Sequence, residues 1–238
     1  MKKYTFVALF VMVTMVLSGC LYRDEQEKLE SETPDEIQLN AVQKAIEEFQ
    51  AETGVLPIKT REQDTDIYIK YLIDFEKIVP KYMTKIPTNA YEVGGIFQYI
   101  IWNPEQKPTV KLVDLRAPER IREVKIRFMR TTYPQYKDEI APFVYTINYR
   151  NIGYKEDVVV QSPYSTDLLP LVVSSEGDLY VDYSIELQRV INEGNLKPTQ
   201  GEDIRDLLTE KYPVVPSYSL PYTVDDNNEV MFMYNPIE

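Results

Sequence analysis

The stretch TPDEIQLNAVQKAIEEFQAETGVLP, residues 33–57, decides how the chain begins to fold. Leu39, Val42, Ala45, Ile46 and Phe49 recur three or four residues apart, so a helix gathers them into one stripe. Gln43, Lys44, Glu47 and Gln50 fall elsewhere on its circumference. Thr33 is placed to cap this helix, Pro34 suits its first turn and Glu36 completes a capping box. Gly54 then stops it, because glycine takes left-handed backbone without steric cost. The expectation is a helix over residues 35–53 whose stripe packs into a core; a partner helix could use the same stripe.

Working outward, a shorter helix is expected over residues 68–81, with Tyr71, Leu72, Phe75 and Ile78 on its apolar side and Pro80 as its limit. Pro87-Thr88-Asn89 and Gly94-Gly95 bracket a loop, and residues 97–102 and 109–115 have strand composition. Beyond Pro118 the pattern changes to period two: Val124, Ile126 and Phe128; Phe143, Tyr145, Ile147 and Tyr149; Leu179, Val181, Tyr183, Ile185 and Leu187. Such alternation predicts half-buried antiparallel strands. Ser175-Glu176-Gly177 reads as one hairpin turn and Asp225-Asp226-Asn227-Asn228 as another, with a helix over residues 202–211 between them. The fold class is therefore α+β: an N-terminal helix packed on a small sheet, followed by a β-rich antiparallel region with one helix.

Composition narrows the chemistry. The 238 residues carry a formal charge of −12, one cysteine, no histidine and 8 glycines. Without histidine no Ser/His/Asp or Cys/His nucleophile system can be assembled, and an imidazole-based zinc site is excluded with it. A lone cysteine forms neither an internal disulfide nor a thiolate cluster. The glycines make no phosphate-cradling loop, so no nucleotide cofactor, and indeed no cofactor of any kind, is expected. The acidic balance argues against nucleic acid, whose phosphates need clustered Lys and Arg.

The N-terminus reads as an address. Lys2 and Lys3 precede an uncharged apolar run over residues 4–17, which is shorter than the roughly 18 apolar residues of a membrane span. Leu17-Ser18-Gly19-Cys20 resembles the lipobox of bacterial lipoproteins, and that resemblance implies cleavage between Gly19 and Cys20 and a diacylglycerol on the Cys20 sulfur. Two acyl chains suffice for stable anchoring. Loss of Lys2 and Lys3 with the leader would take the formal charge from −12 to −14. Residues 23–36 are almost wholly polar or charged and read as a tether. The resulting division is 1–19 signal peptide, 20–35 tether, 36–117 α+β region and 118–238 β-rich region.

Two wider resemblances follow. The helix with Ala45 and Phe49, then Gly54-Val55-Leu56-Pro57, Ile86-Pro87-Thr88-Asn89 and Gly94-Gly95-Ile96-Phe97-Gln98-Tyr99, resembles the globular head of type II secretion pseudopilins. The lipobox and charged tether depart from that family, whose long hydrophobic helix packs a filament, so fibre assembly does not carry over. The whole chain also resembles the uncharacterised lipoproteins of Gram-positive bacilli, which implies a position on the extracytoplasmic face of the cell membrane.

Remaining chemistry would rest on carboxylates, as in glycoside hydrolysis. The sets are Asp64 with Asp66, Asp74 with Glu76, Asp178 with Asp182, and Glu202 with Asp203 and Asp206; each reads equally as a turn, a helix start or a solvated face. The oxygens of residues 225–229 could attract calcium, although Asp and Asn are also the usual turn residues, and no metal is expected. Arg116, Arg120, Arg122, Lys125, Arg127 and Arg130 form the one basic cluster. On a strand, Lys125 and Arg127 would share a face opposite Val124, Ile126 and Phe128. Arg122, Lys125 and Arg127 are thus a docking patch for an envelope protein or anionic wall polymer, or else a charged edge that resists pairing. Tyr145, Tyr149, Tyr183, Tyr218 and Tyr222 could line a groove or be half-buried strand residues. The expected function is that of a non-enzymatic lipoprotein interaction module bound to membrane lipid through Cys20. A solute- or glycan-binding lipoprotein is the alternative and a carboxylate hydrolase the third choice.

Overall fold

The computed structural model describes residues 34–234. Helix α1 (Glu36–Thr53) buries Leu39, Val42, Ala45, Ile46 and Phe49, the stripe read from sequence. Its cap is Asp35, whose side chain accepts from the Ile37 and Gln38 amides at 2.8 and 3.4 Å. Thr33, the expected cap, lies outside the described residues; with Asp35 as the cap, Pro34 precedes it instead of opening the first turn, Glu36 closes no capping box, and Gln38 Nε2 donates to the Asp35 carboxylate at 2.9 Å. Gly54 ends the helix at φ 75°, its amide donating to the Gln50 carbonyl at 2.8 Å.

The buried face of α1 lies on an antiparallel hairpin, β1 (Phe97–Trp102) and β2 (Thr109–Asp114), in register from Phe97 opposite Asp114 to Trp102 opposite Thr109. Both strands match the expectation. Gly95 enters this hairpin against the backbone of Asn89, where a Cβ would stand 2.1 Å from a carbonyl carbon, so only glycine fits. The helix expected over residues 68–81 is instead two single turns, α2 (Ile67–Lys70) and α3 (Phe75–Ile78). Between them the chain pairs with β1: Ile101 donates to Tyr71 and Ile73 to Tyr99, at 2.8 and 2.9 Å. An available strand edge offers these amides partners that outweigh helical propensity.

A second antiparallel sheet has β3 (Tyr136–Ala141), β4 (Val144–Ile147), β6 (Leu168–Ser174) and β5 (Val159–Gln161) in that spatial order, with β7 (Leu179–Val181) also on β6. The turn at residues 175–177 joins β6 to β7, and residues 225–228 join β8 (Tyr222–Val224) to β9 (Val230–Phe232), as read from sequence. Two alternating runs are corrected. Residues 116–128 form helix α4 (Arg116–Phe128), and the run from Leu179 breaks after β7 into α5 (Ser184–Gly194), where Asp182 accepts from the Ser184 amide at 2.9 Å. The helix expected over residues 202–211 is confined to α6 (Asp206–Lys211).

One core is drawn from α1 and the β1–β2 hairpin, a larger one from α4, the second sheet, α5 and β8. The chain after α6 returns to the first. Pro213 accepts from Leu112 and Val215 donates to Leu112, both at 2.9 Å, so this segment lies along β2 and buries Val214 beneath α1.

Candidate functional site

Helix α4 begins immediately after β2 because Asp114 accepts from the Arg116 amide at 2.9 Å and holds the Arg116 guanidinium through both carboxylate oxygens. Its buried residues are Ala117, Ile121, Val124 and Phe128, spaced four, three and four apart as a helix packed on a sheet requires. Val124 and Phe128 point inward under either reading of the run, whereas Ile126 distinguishes them: a strand would bury it, and it is 48% exposed. The spacing from Ala117 was the signal available in the sequence.

The cations of α4 divide by surroundings. Lys125 reaches Asp178 at 2.6 Å, Arg120 pairs with Glu123 at 2.9 Å, and Arg127 lies 4.2 Å over the Tyr154 ring and donates to the Gly153 carbonyl. Arg122 and Arg130 are exposed, and their guanidinium groups have no hydrogen-bond or ion-pair partner among the described residues. Lys125 and Arg127 therefore do not share a strand face, and Lys125 is a cross-link to the β6–β7 turn. Six cations against Glu119 and Glu123 give residues 116–130 a net charge of +4 in a chain of −12. Ile126, Met129 and Tyr133 are exposed beside them.

Cys20 and Gly19 lie outside the described residues, as do the leader and nearly all of the tether. The carboxylate sets are mostly spoken for. Asp66 caps α2, Asp74 pairs with Lys77, Asp178 pairs with Lys125, and Asp182 caps α5 and accepts from Tyr222. Glu202, Asp203 and Asp206 line a shallow cleft of about 350 Å³, but Asp203 holds Arg205 at 2.7 Å and Asp206 accepts from Tyr68 at 3.2 Å. Burial raises the Asp206 carboxyl above its ordinary range. Asp225 accepts from the Asn227 and Glu229 amides, both at 2.8 Å, and these bonds, the Glu229 one foremost, hold its carboxyl low. Among the described residues no cluster of three or more acidic side chains has the arrangement to hold a metal ion.

Of the tyrosines, Tyr149, Tyr183 and Tyr222 are buried and Tyr145 stacks on Tyr136 at 4.6 Å. Three features escaped the sequence reading. Glu186 is buried and accepts from Ser162 and Ser165 at 2.6 and 2.5 Å while pairing with Arg189, which also holds Asp167. Lys111 donates to the Thr209 and Tyr212 carbonyls at the end of α6, and burial lowers its pKa. A groove of about 860 Å³ runs beside the start of α1, with Ile37, Ala41, Met83 and Ile86 along it. Glu186 and Lys111 bind segments far apart in sequence, so no local pattern announces them.

Residues 35–114 match the YphF family N-terminal domain. That match spans α1, α2, α3 and the β1–β2 hairpin, and ends where α4 begins. No curated protein and no solved structure matches the chain significantly. No helix among the described residues is long and apolar enough to cross a membrane.

Proposed function

We propose that the protein is an extracytoplasmic lipoprotein, anchored through Cys20, that acts without catalysis as an interaction module of the cell envelope. Its docking face is the outer side of α4, where the patch read as Arg122, Lys125 and Arg127 is redrawn around Arg122, Arg127 and Arg130. The observation that carries this reading is the pair of unpartnered arginines beside exposed apolar side chains on an otherwise acidic chain. The lipobox supports the anchor, and the acidic balance elsewhere supports an anionic partner met by this face alone. Globomycin should block processing, and Cys20→Ala should abolish lipid labelling and membrane retention; an unlabelled, soluble wild type would refute the anchor. Crosslinking from residue 122 in intact cells should capture an envelope component, and loss of that capture on charge reversal at Arg122 and Arg130 checks the face.

A further inference from the structure

The outer face of α4 sets exposed apolar side chains among arginines, and the apolar exposure continues past the helix through Met129 and Tyr133. At 3.6 residues per turn, Ile126 points away from the buried stripe, Arg122, Met129 and Arg130 flank it, and the exposed Glu119 and Glu123 share that side, Glu123 being paired with Arg120 at 2.9 Å. Met129 and Tyr133 are 71% and 75% exposed, and the turn following α4 holds the Tyr133 carbonyl through the Thr131 hydroxyl at 2.8 Å. Apolar and aromatic tips ringed by arginines are what an interfacial contact with lipid requires.

We infer that this face docks on an anionic bilayer, with Ile126, Met129 and Tyr133 entering the headgroup layer and Arg122, Arg127 and Arg130 meeting lipid phosphates. The inference rests on the anchored-module reading and names the partner of its docking face. A soluble polyanion would satisfy the arginines and leave the three apolar side chains wet. A protein partner needs about 800 Å² of its own surface in a stable interface, more than a few side chains along one helix supply. A bilayer takes both kinds of residue from one side of a single helix. Charge also sets the orientation, because the acidic body is repelled within about 8 Å of an anionic surface while α4 is attracted. Thirteen residues lie between Cys20 and Pro34, a reach of up to about 50 Å when extended, so the anchor leaves α4 free to approach.

The test uses the unlipidated mature chain, Cys20→Ser, so that an error about the anchor does not affect it. Cosedimentation with vesicles of phosphatidylglycerol and phosphatidylethanolamine in equal parts should exceed that with phosphatidylcholine and weaken as salt rises. Arg122→Gln with Arg130→Gln should lower binding by about 25-fold, roughly fivefold per arginine, and charge reversal to Glu at both should lower it further, while the corresponding lysine pair retains it. Ile126→Ser with Met129→Ser should lower it about tenfold. Ile126→Trp should give fluorescence quenched by brominated acyl chains, a readout that needs no loss-of-function variant. Equal binding to both vesicle types, or no effect of charge reversal in a variant with unchanged circular dichroism, would overturn the inference. So would binding indifferent to the serine pair yet competed by soluble poly(glycerol phosphate), which would mark a polyanion site instead.

Discussion

Helices α1 and α4 are built alike and differ in what they turn outward. Each lays one apolar stripe on an antiparallel sheet, through Leu39, Val42, Ala45, Ile46 and Phe49 in α1 and Ala117, Ile121, Val124 and Phe128 in α4. The outer side of α1 carries Asn40, Lys44, Glu47 and Glu48, with Lys44 and Glu48 3.9 Å apart, and a single exposed large apolar side chain, Ile37, in its first turn. That of α4 carries Arg122, Ile126 and Arg130 together with Glu119 and Glu123, and residues 116–130 keep a net charge of +4. The contrast explains both the ease of one reading and the failure of the other. In α1 polar residues separate the buried positions, so only the helical period fits. In α4 the outward Ile126 stands midway between Val124 and Phe128, and the three together imitate a strand.

The largest expected effect tests that imitation directly. Val124→Asp places an unpaired charge in the core and should cost at least about 4 kcal/mol in urea denaturation, whereas Ile126→Asp should stay within about 0.5 kcal/mol. Equal losses would restore the strand and break the comparison. Next, Ile46→Ala in α1 should cost about 2–5 kcal/mol by cavity formation, while Ile37→Ala, at a position 81% exposed, should cost almost nothing.

The termini of α1 come third. Asp35→Ala and Gly54→Ala should each cost about 1 kcal/mol, the first by removing the cap and the second by straining left-handed backbone. The Gln38 side chain and the Ile37 and Gln38 amides hold the Asp35 carboxyl below its ordinary value. A lowered folded pKa means that its contribution is present above the unfolded value and is lost as pH falls through the folded one. Stabilities of wild type and Asp35→Ala should therefore converge in acid; a gap that persists there would show that the charge is irrelevant. The smallest effect is that of Arg122→Ala, expected within about 0.5 kcal/mol on stability, which separates the docking face from the scaffold.

What was legible in the sequence is local. The turn at residues 225–228 could be read because Asp225 accepts from amides two and four residues away, and α1 because its apolar stripe has the helical period and Gly54 stops it within a single turn, although the cap is Asp35 and not the expected Thr33. The candidate face was legible as composition, since six cations stand within fifteen residues, but its geometry was not. Residues 71–73 leave the helical pattern only because β1 offers them an edge, and Glu186 is tolerable in the interior only because Ser162, Ser165 and Arg189 arrive from elsewhere.

By itself the sequence determined α1, the strands β1 and β2 but not their pairing, the two later hairpin turns and the charge contrast between the chain and residues 116–130. Only the tertiary structure decided that α4 is a helix with Ile126 in water, that Lys125 is occupied by Asp178, and that Val214 returns beneath α1. Caps and turns are settled by hydrogen bonds a few residues long. Which side of a segment is buried is settled by the sheet it meets, and that surface exists only once distant strands have paired.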